Sequence, residues 1–263
     1  MVRFTVTSLL SLAAVAGAWE SPTYSGWTRV WQDTFSGSGV YTSSSANVQL
    51  SGGQTLQLVP WKDSSKPKGW TSGRIESKYT FTPANGKITR IEAQIMFGDS
   101  AIANKQGIWP AFWMLGNSMR NGVGWPACGE IDIMETVNGL LTGYGTIHCD
   151  VYPGGICNEG AGIAGTTSIP NQSWHTWRVE IDRRNSNYLS QTITWYLDGN
   201  QFHQVSGSRI GNTNVWSALA QSSLYIIFNV AVGGTWPGYP NGATLDGYGS
   251  RQEVGYVAHY TSN

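Results

Sequence analysis

The sequence predicts an all-β fold, a two-sheet antiparallel sandwich, and three observations carry that prediction. The chain of 263 residues holds 33 glycines, 13 tryptophans and 12 tyrosines, a usage that favours short strands, tight turns and aromatic platforms over helices. Many short alternating segments are separated by Gly, Pro and Asn turns, with no helices interleaved as a parallel sheet would need. Sixteen Lys and Arg balance sixteen Asp and Glu. No basic stripe is available to neutralise phosphates, which argues against nucleic acid as a partner and for an uncharged substrate. One large domain, without linker or repeat, fits this length better than two small ones.

In chain order, residues 1–18 read MVRFTVTSLLSLAAVAGA, with Arg3, an apolar run from Leu9 to Val15, and Ala16 and Ala18 around Gly17. This is the pattern of a secretory signal cut between Ala18 and Trp19, and the run is too short to span a bilayer. The expected product is residues 19–263, released outside the cell or into the cell wall, without a membrane partner and as a monomer.

From Trp19 to Phe35 the chain reads as an aromatic edge strand, followed by a Gly/Ser-rich loop over Ser36–Ser45. The stretch NVQLSGGQTLQLVPW predicts two short strands around Gly52–Gly53. After a solvated loop over Lys62–Gly69, TSGRIESKYTF and KITRIEAQIMF alternate strongly, with Pro83–Gly86 as the turn between them. GIWPAFWMLG, LLTGYGTIHCDVY and WHTWRVEIDR are further strands. TITWYLDGNQFHQV is the clearest hairpin, with Asp198–Gly199 at its turn. SLYIIFNVAVG suits the buried centre of a sheet, and EVGYVAHY alternates again to close it. Only NVWSALAQ, Asn214–Gln221, reads as helix.

Three cysteines follow the leader. In an oxidising compartment Cys149 and Cys157 could close a small loop around VYPGGI, leaving Cys128 as a buried thiol; Cys128 paired with either is the alternative. Neighbouring carboxylates would raise the Cys128 pKa, which argues against a nucleophilic cysteine. Asn171-Gln172-Ser173 is a glycosylation sequon.

The run Gly129–Gly139, GEIDIMETVNG, concentrates the chemistry. In a regular strand Glu130 and Asp132 share one face and Ile131 and Ile133 the other, which would drive Glu135 into the core. A buried unpaired carboxylate costs several kcal/mol, so a one-residue bulge near Ile133 and Met134 is expected, returning Glu135 to the acidic face. Two glutamates so placed suit a retaining glycosidase, which needs a nucleophile and a general acid about 5 Å apart. Crowding should leave one glutamate protonated near neutral pH, with Asp132 as the partner of the ionised one. A metal site fits less well, because acids at opposite ends of a bulged strand do not converge on a point. Sugar rings offer apolar C–H faces for aromatic side chains, and Trp125 lies just before this strand. Trp177 and Trp195 are expected in the core.

The run EIDIME, with WPAFWML upstream and TIH downstream, resembles glycoside hydrolase family 16, in its laminarinase-like, secreted fungal type rather than its bulge-free lichenase branch. The likeness covers nearly the whole chain after the leader. It implies a concanavalin A-like jelly roll with a cleft across its concave sheet, and β-glucan as the partner. By this resemblance Glu130 is the nucleophile, Glu135 the acid/base and Asp132 their support. It likewise implies that Trp109, Trp113 and Trp236 line the cleft, that His148 stands beside the acid/base, and that Arg74, Asn47 and Asn229 bind substrate. No cofactor and no catalytic metal are implied; a structural calcium on the convex face is an unassigned option. The tail departs from the family at Gln252, commonly more apolar, and at Gly255, commonly acidic. The activity implied is an endo-β-1,3(4)-glucanase. A transglycosylase of the same fold, or a lectin-like glucan-binding module without catalysis, would share most of these features, although a module would lack one of the two glutamates.

Overall fold

The computed structural model describes residues 19–36, 46–51 and 55–263. The expected leader, nearly all of the Gly/Ser loop and the Gly52–Gly53 turn lie outside the described residues. The first half of the chain forms β1 (Trp27–Asp33), β2 (Val48–Leu50), β3 (Leu56–Leu58), β4 (Trp61–Lys62), β5 (Trp70–Thr71), β6 (Arg74–Phe81), β7 (Ile88–Phe97) and β8 (Ile108–Gly116). The second half forms β9 (Glu130–Glu135), β10 (Thr142–His148), β11 (Ile163–Ser168), β12 (His175–Asp182), β13 (Thr192–Leu197) and β14 (Asn200–Ser206). Two short helices, α1 (Gly207–Ile210) and α2 (Thr213–Ala220), then precede β15 (Leu224–Val232) and β16 (Gln252–Ser262).

The strands build a two-layer antiparallel sandwich. One sheet runs β14-β13-β12-β7-β16-β3-β2 with β1 added beside β16; the other runs β11-β10-β9-β8-β15-β6. Successive strands β6 and β7 therefore lie in different sheets, and the turn at Pro83–Gly86 crosses between the layers. The β13–β14 hairpin turns on Asp198 and Gly199, both at positive φ (48° and 82°), as a type I′ turn requires.

The core lies between the layers. Ile131, Ile133 and Met134 of β9 meet Phe112 and Met114 of β8, Phe228 of β15, and Trp177 and Trp195 of the opposite sheet, all almost inaccessible to solvent. The two tryptophans reach so far across that a Cβ at Gly143 or Gly145 would sit 2.3 or 2.5 Å from their rings. Glycine at these two positions of β10 lets the indoles close the core beneath the acidic strand.

Two expectations change. Strand β16 does not alternate in burial, because Trp19, Tyr24 and Trp27 cover Tyr256, Ala258 and Tyr260 on its outer face. It also does not close a sheet at its edge; it pairs with β7, β3 and β1. At Gly255 the Trp19 indole lies 2.7 Å from where a Cβ would stand, so the missing side chain makes room for that cover. Among the described residues no three His, Cys, Asp or Glu side chains converge on the outer face of this sheet. No helix among them is long and apolar enough to cross a membrane.

Candidate active site

Strand β9 carries the bulge. Against β8 the register passes from Trp113↔Asp132 to Phe112↔Met134, and against β10 from Thr146↔Asp132 to Tyr144↔Glu135. One extra residue of β9 is thus accommodated at Ile133–Met134, and Ile131, Ile133 and Met134 all remain in the core. The displaced backbone is held through the sandwich, where Trp195 Nε1 donates to the Asp132 carbonyl at 2.7 Å. The strand is entered at Gly129, whose φ is +79° and where a Cβ would stand 2.9 Å from the Ala218 carbonyl oxygen, so a side chain finds no room there.

Residues paired across antiparallel strands share a face, and three rows follow. Glu130 lies beside Leu115 and His148, Asp132 beside Trp113 and Thr146, and Glu135 beside Ala111 and Tyr144. Beyond β8, the Glu135 row continues through Asn229 to Arg74, and the Asp132 row through Ile227 to Glu76. The acids thus sit in the middle of a face that crosses the strands from β6 to β11.

On the β10 and β11 side an open pocket of about 510 Å³ is lined by Trp109, Glu130, Glu135, Tyr144, His148 and Trp236, among others including Trp125. Trp109 Nε1 donates to Glu135 Oε1 at 2.9 Å. The Trp236 ring stands edge-on to Trp109 and to Tyr144, with centroids 5.2 and 4.9 Å away. The Trp125 ring packs near His148 and Tyr152, with centroids 5.7 and 5.9 Å away. On the β6 side Trp113 donates to Asn229 Oδ1 at 2.7 Å, and the Arg74 guanidinium lies 4.7 Å from the Trp113 ring centre. Arg74 also pairs with Glu76 at 2.6 Å, so the charge ladder and the cleft position coexist in one side chain.

Two placements correct the sequence reading. His148 stands opposite Glu130, not beside Glu135, because an antiparallel return counts backwards and its thirteen-residue offset carries it to the far end of β9. Its Nε2 is 3.5 Å from Asp132 Oδ2 and its Nδ1 is 2.6 Å from Glu159 Oε2. Asn47 is buried, and its amide donates to the Val59 carbonyl at 2.9 Å and the Thr71 hydroxyl at 3.2 Å. Those bonds tie the β2 and β5 neighbourhoods together and leave no free donor for a sugar. Tyr144, Thr146 and Glu159 were not singled out from the sequence. The first two alternate with His148 in YGTIH and were accessible to the same period-two rule; Glu159 lies in an irregular loop without any periodic signal.

Atoms of Glu130, Asp132 and His148 fall within 4.8 Å of one another. That set is close enough to touch a cation, and its two carboxyl groups are held above their usual range. Burial and then its acidic neighbours Glu135 and Glu159 raise the Glu130 pKa, opposed by Trp125 and by Arg74. Asp132 is raised by the same burial and crowding. Burial also lifts Glu135, and only the Trp109 hydrogen bond opposes it. Glu130 is lifted to about 8 and Glu135 to about 7, so this crowded pair holds protons near neutral pH, and the division of roles between the two rests on the family resemblance rather than on these shifts.

This crowding has a measurable consequence for stability. The unfolded chain loses the Glu135 proton near 4.5, whereas the folded chain keeps it to about 7. The native state loses stability as pH rises through that window. Glu135→Gln removes the titration while its carboxamide oxygen still accepts from Trp109. Its melting temperature should exceed wild type at pH 8 by about 5 °C, corresponding to roughly 2 kcal/mol, and match it at pH 4. Thermal scans at both pH values test this; a difference of equal size at both would contradict it.

The Cys149–Cys157 disulfide is formed, and Cys128 is free and buried, its thiol pushed up to about 11 by burial and then by Glu130.

The model of the family described as XgeA-like, catalytic GH16 domain matches residues 43–208. An endo-1,3-β-glucanase structure from Streptomyces sioyaensis is 34% identical, covers 93% of this chain and 100% of its own, and superposes with a TM-score of 0.84. The clotting factor G alpha subunit of Tachypleus tridentatus is 30% identical over 81% of this chain, and the glucan endo-1,3-beta-glucosidase A1 of Niallia circulans 30% identical over 84%. This chain spans 28% and 31% of those two proteins' lengths. By its family match over most of the sequence, the chain belongs to glycoside hydrolase family 16.

Proposed function

We propose that the chain is a secreted, monomeric, retaining endo-β-glucanase that hydrolyses β-1,3 linkages and, more slowly, mixed β-1,3/1,4 glucan, without a cofactor. The observation that carries this reading is the bulge in β9, which turns Glu130 and Glu135 to one face between aromatic walls. Glu130 attacks the anomeric carbon while Glu135 gives its proton to the leaving oxygen. A covalent glycosyl-enzyme forms, and Glu135, now a base, takes a proton from the water that hydrolyses it. Asp132 lies between the two in the strand and shares the proton load. Trp109, Trp125 and Trp236 offer ring faces to the sugar units on one side of the scissile bond, and Trp113 with Arg74 and Asn229 on the other. The relatives named as 1,3-glucan hydrolases support the choice of linkage.

Reducing-sugar release and product sizing on laminarin, lichenan, cellulose and chitin test the proposal. Short oligosaccharides from laminarin, fewer from lichenan and none from the other two are expected. No release from laminarin would contradict it, and products longer than the starting oligosaccharide would indicate glycosyl transfer instead.

A further inference from the structure

Behind the cleft wall lies a buried carboxylate that the reaction as described leaves unused. The Glu159 side chain is fully inaccessible, so no sugar can touch it. Its Oε1 accepts from the Cys149 backbone N–H at 2.7 Å, and its Oε2 lies 2.6 Å from His148 Nδ1. We place the proton of this short contact on Nδ1, with the Glu159 carboxyl oxygen accepting. The other ring nitrogen is then aimed at Asp132 Oδ2, 3.5 Å away, an oxygen that is buried without a hydrogen-bond partner among the described residues. Asp132 stands between the two glutamates on β9.

The surrounding loop fixes this arrangement. The Cys149–Cys157 disulfide closes the segment, and Gly154 and Glu159 exchange backbone hydrogen bonds across it. Isolated buried carboxylates are costly, and one retained with both oxygens engaged on a ring that faces the acids has a positioning geometry. The same logic operates wherever a buried acid sets the tautomer and orientation of a working histidine.

We propose that Glu159 is a positioning residue, whose contact with His148 holds that ring against Asp132 and through it keeps the acidic strand in its working arrangement. This rests on the hydrolytic reading above. A carboxamide in its place serves Cys149 with its oxygen and presents N–H to Nδ1, which must then accept, moving the ring proton to Nε2.

Steady-state kinetics on laminarin with wild type, Glu159→Gln, His148→Ala and the double variant test the proposal. Glu159→Gln should lower kcat by about 10- to 100-fold with KM within about twofold, as expected for an interaction felt mainly in the transition state. The double variant should fall no further than His148→Ala alone. A kcat for Glu159→Gln within about twofold of wild type, or losses in the double variant that multiply, would overturn the role. Should Glu159→Gln fail to fold, the ring ¹⁵N spectrum of wild-type His148 decides: a proton on Nδ1 supports the proposal and a bare Nδ1 overturns it. Wild type inert on laminarin would refute the hydrolytic reading itself, whereas an active wild type with a fully active Glu159→Gln would refute this inference alone.

Discussion

Replacing Glu130 by Ala should lower laminarin hydrolysis by roughly 10,000-fold, because the covalent half of the reaction is lost while the fold stays intact. The substitution removes one of three crowded carboxylates from a face whose support lies elsewhere. Ile131, Ile133 and Met134 remain in the core, and Trp195 still holds the Asp132 carbonyl. The loss should therefore appear without a fall in melting temperature. Azide supplied with an activated aryl β-glucoside of laminaribiose should restore turnover, since a small anion can occupy the space of the missing carboxylate. It would attack from that side of the sugar, expel the phenolate and leave an α-glycosyl azide. A β-glycosyl azide, or hydrolysis at near wild-type rate, would remove Glu130 from the nucleophile's role.

Glu135→Ala should behave differently because its proton matters only when the leaving group needs one. On laminarin the loss should reach about 1,000-fold, within the range for general acid catalysis. On a dinitrophenyl glycoside, whose phenolate leaves unaided, the first step should survive and the glycosyl-enzyme should accumulate. Azide would then relieve the block in the second step without base assistance, and it would enter opposite Glu130 to give the β-glycosyl azide. The two variants are thus distinguished by the stereochemistry of one product. Equal losses on both substrates would argue against an acid role for Glu135, despite the lift that burial gives its carboxyl.

The catalytic strand was legible in the sequence because a single conflict exposed it: EIDIME cannot satisfy a regular pleat without turning Glu135 away from the other acids and into the apolar core between the sheets. The bulge at Ile133–Met134 is the resolution the conflict demanded. Its support was not legible, since Trp195 reaches Asp132 from the opposite sheet and strand patterns say nothing about which side chains meet across a core. His148 was recognised but misplaced, because its position depends on the register of the antiparallel return rather than on its distance along the chain. Asn47 was misread for a related reason: a polar residue near the cleft in sequence can spend its donor on neighbouring backbone. The alternation of EVGYVAHY held in sequence but not in burial, because the segment after Ala18 folds back over its outer face. Glu159 carried no periodic mark at all. Its meaning comes from a loop closed by a disulfide, which brings it back against the preceding strand.

The central claim, that the bulged strand sets Glu130 to form a bond with sugar while Glu135 moves the proton, is tested most directly by trapping. A 2-deoxy-2-fluoro laminaribioside with a dinitrophenolate leaving group slows both steps but speeds the first, so the intermediate accumulates. Mass spectrometry of the digested protein should find one glycosyl adduct, on Glu130. An adduct on Glu135 or elsewhere, or release of phenolate from the active enzyme with no adduct, would contradict the account.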